Sequence, residues 1–147
     1  MNFKTILISF FLVLFASLNS FSQADQLEKA TQVAKEQNKL IFMNFSGSDW
    51  CRSCILLKKT ILDTPEFESF VNKEFVLVDI DFPRKKKNRL SKEQTQYNEN
   101  LAEKYNRDGQ FPTIIILDSD LNIIAKTGYK RLNPSQYIDH IKSQINK

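Results

Sequence analysis

Apolar residues follow two kinds of spacing along this chain, and each kind predicts a different element. Nearly continuous apolar runs at 40–45, 75–80 and 111–117 predict short strands that are buried on both faces. A fourth run, at 121–126, follows an Asp-Ser-Asp turn, so we expect the last two strands to form a hairpin. The chain should therefore build a sheet of about four strands.

Helical spacing of apolar residues occurs before, between and after these strands. Pro65 either kinks the second helix or begins a new one with Thr64 as its cap. Strands that alternate with helices favour a parallel core, and the closing hairpin adds an antiparallel strand. We therefore predict an α/β fold with a mixed central sheet flanked by helices. The predicted helices lie at 25–38, from 51 onward, at 91–106 and from 134 onward.

The first 22 residues have the pattern of a signal peptide. A short positive start is followed by an apolar run at 6–18 and by small residues at Ser20 and Ser22. The run is shorter than the roughly 20 residues that span a bilayer, so we expect cleavage after Ser22 and no stable membrane anchor. Residues 23–147 are then one domain, which is periplasmic or secreted.

Cys51 and Cys54 are the only two cysteines of the chain, and they lie where a predicted strand meets a predicted helix. In an oxidising compartment such a pair either exchanges with other disulfides or stays locked as one. At a helix N-terminus the thiolate of the first cysteine is favoured, which lowers its pKa from about 8.5. Cys51 is therefore the candidate nucleophile, and Cys54 the group that resolves its mixed disulfide.

Two neighbours of the dithiol could tune it. Arg52 places a positive charge beside Cys51, which should lower the pKa of that thiol further. Trp50 either offers a flat apolar surface to a substrate chain or only packs against the domain, and the residues alone leave both interpretations open.

The stretch Phe42-Met43-Asn44-Phe45-Ser46-Gly47-Ser48-Asp49-Trp50-Cys51-Arg52-Ser53-Cys54, with Phe111-Pro112-Thr113 and Gly128 downstream, resembles the thioredoxin superfamily. The similarity is greatest to exported bacterial members and to the C-terminal domain of the transmembrane disulfide reductase. It implies a thioredoxin-like fold, a cis Pro112 facing the dithiol, and a Phe111 backbone that pairs with the substrate. It also implies a thiol–disulfide oxidoreductase, with protein or peptide thiols and disulfides and an upstream thiol redox partner as its partners.

The chain departs from this family in two places. Members usually carry a buried acid on the strand before the dithiol, to take the proton of the second cysteine, but here that position falls on Asn44. Asp49, Asp79 and Asp81 are the candidate replacements, although the last two are better interpreted as polar residues at a strand end. The segment 82–110 is also longer than in thioredoxin, so substrate access could differ.

The net charge of +4 has a local source in residues 84–92, which we call the basic segment. It is a candidate surface for an acidic partner, nucleic acid or lipid headgroups. Because no aromatic residues interleave its charges, we interpret it as a solvated loop and expect no nucleic-acid partner. Its cations are Arg84, Lys85, Lys86, Lys87, Arg89 and Lys92.

Three other interpretations of the dithiol remain to be weighed. Zinc needs four ligands, and His140, the only histidine, is expected on the surface of the last helix. Copper handling would use a nearby His or Met, but Met43 is better explained as core. The third is a non-catalytic binding module in which Cys51 and Cys54 form a permanent disulfide. We expect no metal and no cofactor, a monomer, and a reductase or general exchanger.

Overall fold

The computed structural model describes residues 26–146, so the predicted leader lies outside the described residues. In this part of the chain five α-helices surround the four predicted strands, one helix more than the four predicted helical stretches because Pro65 begins a helix of its own. The elements are α1 (Gln26–Gln37), β1 (Leu40–Ser46), α2 (Arg52–Leu57), α3 (Pro65–Glu74), β2 (Phe75–Asp81), α4 (Lys92–Tyr105), β3 (Thr113–Leu117), β4 (Ile123–Gly128) and α5 (Pro134–Ile145).

The strands form one mixed sheet in the order β2-β1-β3-β4. Strand β1 runs parallel to β2 and antiparallel to β3, and β4 closes the hairpin with β3. The predicted fold class, a thioredoxin-like mixed sheet of four strands flanked by helices, is confirmed.

Two of the predicted strands begin later than the apolar pattern suggests. Strand β3 starts at Thr113, because the Phe111–Pro112 peptide bond is cis and precedes the ladder. Strand β4 starts at Ile123, because Leu121 adopts a positive φ of 65° inside the turn. The carboxylate of Asp118 closes that turn by accepting N–H bonds from Asp120 and Asn122, both at 2.9 Å. Apolarity alone does not separate a turn residue from a strand residue.

Helix boundaries follow capping side chains. Pro65 begins a new helix rather than kinking the previous one, and Thr64 Oγ1 accepts the N–H of Phe67 at 3.4 Å. Ser91 caps α4 in the same way, and Asn133 forms a capping box at the start of α5. Helix α2 continues directly into a π-helical turn at Lys58–Leu62 before it ends.

Strand β1 lies at the centre of the molecule and separates two apolar clusters. Alternate residues point to opposite faces, so Met43 and Phe45 pack against α1 and α4, whereas Phe42 packs against α3 and α5. The sheet buries both faces, as the continuous apolar run predicts. Asn44 shares the face of Phe42, which is also the face covered by α2.

The register of the sheet brings distant parts of the chain to the C-terminal end of β1. Phe45 pairs with Thr113, the first residue of β3, and Ser46 pairs with Asp81, the last residue of β2. The segment after β1 therefore meets both the cis peptide before β3 and the basic segment that follows β2.

Candidate active site

Cys51 and Cys54 form a disulfide at the junction between β1 and α2. Cys51 is the N-cap of α2, and its Sγ accepts the backbone N–H of Cys54 at 3.2 Å. A reduced Cys51 would keep this donor, which favours its thiolate form over the thiol. Both residues are largely covered, with Cys51 6% and Cys54 4% exposed. The two sulfurs are thus chemically distinct, because only Cys51 occupies the cap.

The cis peptide between Phe111 and Pro112 lies next to this junction, as the family resemblance implies. The hydroxyl of Ser53, inside the dithiol motif, donates to the carbonyl oxygen of Phe111 at 3.4 Å. Pro112 is buried against the end of the hairpin, where Gly128 pairs with Thr113. A Cβ built on Gly128 would lie 2.8 Å from the Pro112 carbonyl oxygen, so a glycine is needed for this approach.

Trp50 is held in place from three sides. Its Nε1 donates to the carbonyl oxygen of Phe82 at 2.6 Å, and its ring meets Phe111 edge to face at a centroid distance of 5.5 Å. The guanidinium of Arg84 lies 3.7 Å above the indole centroid. Trp50 therefore packs against the domain and is also half-exposed beside the dithiol, so the two interpretations of this residue are compatible.

Arg52 is the first residue of α2 and is exposed to solvent. The structure places its charge one residue from Cys51 along the chain. Its predicted influence on the pKa of that thiol stays a prediction.

Asn44 is buried behind the dithiol, with 7% of its surface exposed. It pairs with Asp79 across the parallel strands, and its Nδ2 donates to Asp79 Oδ1 at 2.9 Å. Its Oδ1 has no hydrogen-bond partner among the described residues. Asn44 and Cys54 both line a cavity of about 170 Å³, with Lys58 and Asp63 at its wall. A buried amide, not a buried acid, thus lies behind Cys54.

The three candidate proton acceptors have different surroundings. Asp79 is exposed and bonded to Asn44, whereas Asp81 accepts bonds from the Ser46 and Ser48 hydroxyls. The Asp49 carboxylate accepts backbone N–H bonds from residues 84 and 85 and the side-chain amide of residue 88, at 2.8–3.0 Å. The first of these bonds is the main cause of a lowered Asp49 pKa. Asp49 therefore binds the basic segment through three hydrogen bonds, and its lowered pKa makes it a poorer proton acceptor.

The sequence predicted that His140 lies on the surface, but in the structure it is only partly exposed. It is half-buried, and its Nε2 lies 2.8 Å from Thr127 Oγ1. The helix face that carries His140 packs on the end of β4, which the spacing of apolar residues in α5 alone does not reveal. Within residues 26–146, no group of three or more His, Cys, Asp or Glu side chains is placed to hold a metal ion.

Sequence reasoning missed the connection between the basic segment and the active site. Asp49 and the residues whose N–H groups it binds are more than thirty positions apart in the sequence, for example Asp49 and Arg84. No local pattern links them. The signal that could have found it is positional: Asp49 follows β1, the basic segment follows β2, and two parallel neighbours end at the same edge of the sheet.

A dithiol at a strand-to-helix junction, next to a cis proline at the same edge of a mixed four-stranded sheet, defines a thiol–disulfide oxidoreductase of the thioredoxin fold. The chain belongs to this family, since the model of the thioredoxin-like domain family matches residues 27–143. The function predicted from the sequence is confirmed at this level.

The relatives of this chain are of the same kind. It is 32% identical over 123 residues to the disulfide bond reductase DsbH of Chlamydia pneumoniae, covering 84% of this chain and 72% of that protein. A solved structure titled DsbH oxidoreductase superposes with a TM-score of 0.74 at 32% identity, over 80% of this chain and 79% of the other. The oxidised DsbD C-terminal domain of Neisseria meningitidis has the same fold, with a TM-score of 0.57 at 19% identity over 84% of this chain and 96% of that one.

Proposed function

We propose that this protein is an exported disulfide reductase in which Cys51 attacks and Cys54 resolves. The observation that carries this assignment is the bond from the Cys54 N–H to Cys51 Sγ, which gives one sulfur, and not the other, a donor that favours its anion. The name of the DsbH relative, a disulfide bond reductase, supports reduction as the direction of transfer.

The exchange needs only the two sulfurs and the substrate. The Cys51 thiolate attacks one sulfur of a substrate disulfide, that S–S bond breaks, and the other substrate sulfur leaves as a thiolate. The Cys54 thiolate then attacks Cys51 Sγ and displaces the second substrate thiolate. The substrate gains two electrons, and the Cys51–Cys54 disulfide must be reduced again by an upstream thiol partner.

Substrate contacts fall to the residues that surround the dithiol. The half-exposed indole of Trp50 and ring of Phe111 provide an apolar surface next to Cys51. The backbone before Pro112 lies outside the β3 ladder, where an extended substrate chain can add its own hydrogen bonds. Arg52 adds a positive charge beside the attacking sulfur.

Export is part of the same proposal. Residues 1–22 carry the signal-peptide pattern, and cleavage after Ser22 leaves a monomeric periplasmic or secreted domain. In the part of the chain that the structure describes, no helix has the length and apolarity to cross a bilayer. Mass spectrometry of the exported protein should find a chain that begins at Gln23.

Serine variants of the two cysteines test the assignment. With dithiothreitol as reductant, Cys51→Ser should lower reduction of a model disulfide protein to the background rate. Cys54→Ser, reduced beforehand and freed of dithiothreitol, should accumulate a mixed disulfide through Cys51 that mass spectrometry detects. Turnover that is unchanged in both variants would contradict the proposal. The double serine variant sets the background.

Alkylation separates the enzyme from a binding module with a permanent disulfide. After mild reduction, Cys51 should react quickly near neutral pH and Cys54 should stay protected, whereas two equally slow thiols favour the module. Equilibration with glutathione measures the reduction potential of the Cys51–Cys54 pair and so tests the direction of electron transfer. For a reductase this potential should lie nearer to about −270 mV than to about −120 mV.

A further inference from the structure

The basic segment is fixed against the active site and does not extend freely into solvent. Asp49, two residues before Cys51, accepts the backbone N–H groups of Arg84 and Lys85 at 2.9 and 3.0 Å. Asn88 Nδ2 donates to the same carboxylate at 2.8 Å, and residues 86–88 form a short 3-10 turn. The Asp49 carboxylate accepts these bonds from backbone and amide N–H groups, and it forms no salt bridge with a cationic side chain of the segment. It therefore fixes the backbone of the segment and leaves the cationic side chains exposed.

A groove of about 900 Å³ connects this segment with the aromatic residues beside the dithiol. Its lining includes Trp50 and Phe111, the aromatic residues beside the dithiol, and three cations, Arg84, Arg89 and Lys92. Two acids, Asp81 and Glu99, also line the groove, so its lining carries one more positive than negative charge. The charge of the groove is therefore positive.

Within residues 26–146 no cation of the basic segment forms a salt bridge, and the Asp49 carboxylate attracts the charge of Lys85. The ion pairs found there use Lys35, Lys58, Lys73 and Lys126 instead. Six like charges held close together raise the local positive potential, and a groove with aromatic walls focuses that potential. Such a surface accelerates encounter with an anionic partner and repels a cationic one.

We propose that this groove binds an acidic segment of the protein that exchanges disulfides with Cys51. The inference rests on the proposed function and adds to it a class of partner. A polypeptide is favoured over an anionic membrane because the groove is lined by Trp50 and Phe111, where a partner has to present its own cysteine. Residues next to that cysteine then extend past Arg84 towards Arg89 and Lys92.

Peptide mixed disulfides of defined charge test this surface. Three short peptides carry the same cysteine as a 2-thiopyridyl disulfide, flanked by Asp, Gln or Lys. The reduced protein attacks the peptide sulfur, 2-thiopyridone leaves, and its absorbance gives the second-order rate constant. At low salt the wild type should react about tenfold faster with the Asp peptide than with the Gln peptide. The preference should shrink towards 0.15 M salt, where the Debye length is about 8 Å.

Charge reversal locates the effect. The Arg89→Glu/Lys92→Glu variant should lose or invert the preference for the Asp peptide. Its folding is not at risk, because both side chains are exposed and a Glu at the first position of α4 is favourable to the helix dipole. The matched control is Lys73→Glu/Lys142→Glu, with the same change in net charge on exposed positions of α3 and α5. It should keep the wild-type ratio.

The outcomes separate the two proposals. If the Gln and Asp peptides react equally with the wild type, or if both double variants change the ratio alike, the acidic-partner inference is overturned while the reductase stands. If no peptide reacts, the proposed function itself fails. Co-sedimentation with anionic phospholipid vesicles that is lost in Arg89→Glu/Lys92→Glu, without any peptide preference, would assign the groove to a membrane and overturn the inference.

Discussion

Asn44 shows how one buried side chain changes the proton chemistry behind the dithiol. The amide is buried next to Cys54, and it holds the carboxylate of Asp79 at 2.9 Å. An amide cannot accept a proton, so the proton that leaves the Cys54 thiol must go to another group. Asp79 is the acid bonded to this amide, and its side chain is exposed on β2, which lies at the edge of the sheet.

We expect Asn44→Asp to destabilise the protein in a pH-dependent way. Burial and the neighbouring Asp79 should raise the pKa of the new carboxyl above its unfolded value of about 3.9. Below that pH the variant should resemble the wild type, and its stability should fall as pH rises towards the folded pKa. At neutral pH the loss should be about 3 kcal/mol, measured by urea unfolding.

The double variant Asn44→Asp/Asp79→Asn is the control for this prediction. It removes the repulsion and restores an amide–carboxylate hydrogen bond with the roles exchanged, so it should recover part of the loss. If the single and double variants unfold alike at neutral pH, Asp79 does not interact with position 44.

The end of β4 and the start of β3 approach each other more closely than side chains allow. Gly128 pairs with Thr113, and a Cβ at position 128 would meet the backbone oxygen of Pro112 at 2.8 Å. Because that contact is with backbone, it cannot be relieved by a rotamer change. The element geometry that positions Pro112 beside the dithiol therefore depends on a glycine in the neighbouring strand.

Gly128→Ala should lower the free energy of unfolding by about 1–3 kcal/mol, the usual cost of overpacking. It should also slow disulfide exchange, because Pro112 must shift. Urea unfolding and the rate with an uncharged peptide disulfide measure the two effects. Gly109→Ala provides a comparison, since a Cβ there meets nothing within 4 Å and only its φ of 60° opposes the change. Normal exchange in Gly128→Ala would contradict the prediction.

A second connection between elements is made by Asp49, which ties the basic segment to the end of β1. Hydrogen bonds from residues 84, 85 and 88 lower the pKa of Asp49, and the bond to the backbone of residue 84 is the largest cause. A lowered pKa means that the carboxylate contributes to order above its unfolded pKa of about 3.9 and loses that contribution as pH falls through the folded value.

Asp49→Ala should therefore release the basic segment. Trypsin should cleave the folded variant there at least about tenfold faster than the wild type, because cleavage follows the population of the open form. Asp120→Ala, which removes an exposed acid in the β3–β4 turn, is the control and should leave cleavage unchanged. In the wild type, amide protection of Arg84 and Lys85 should persist to pH values below the ordinary Asp pKa. Equal cleavage of Asp49→Ala and wild type would argue against the anchor.

The molecule as a whole depends on two apolar layers, one on each side of the sheet. Tyr137 is fully buried in the layer under α5, and its hydroxyl donates to the carbonyl oxygen of Gly128 at 2.8 Å. Burial raises the pKa of Tyr137 well above its ordinary value. This bond links the closing helix to the strand that supports Pro112, so core packing and site geometry are coupled.

Tyr137→Phe should cost about 1 kcal/mol of unfolding free energy at neutral pH through the lost hydrogen bond. The wild type should lose stability as pH rises above about 10, where the unfolded tyrosine ionises and the folded one does not. The variant lacks this group, so its stability should fall less steeply over the same range. Urea unfolding from neutral to alkaline pH measures both slopes, and parallel slopes would contradict the prediction.

Most of the architecture could be inferred from local patterns. Apolar runs determine buried strands, capping residues such as Thr64, Ser91 and Asn133 determine where helices begin, and the dithiol spacing determines the chemistry. These features depend on neighbours within a few positions, which is why reading the chain in order finds them. The predicted starts of β3 and β4 were each two residues too early. A cis peptide at Phe111–Pro112 and a positive φ at Leu121 keep these apolar residues out of the strands.

The surroundings of the dithiol depend on strand register and could not be read locally. Pairing of β1 with β2 sets Asn44 beside Asp79, and the shared edge of these parallel strands sets Asp49 beside the basic segment. A stretch that looks like a solvated loop in one dimension is thereby held within contact of Trp50. Hydrogen bonds between residues more than thirty positions apart leave no periodic trace, because their partners are brought together by the packing of the sheet.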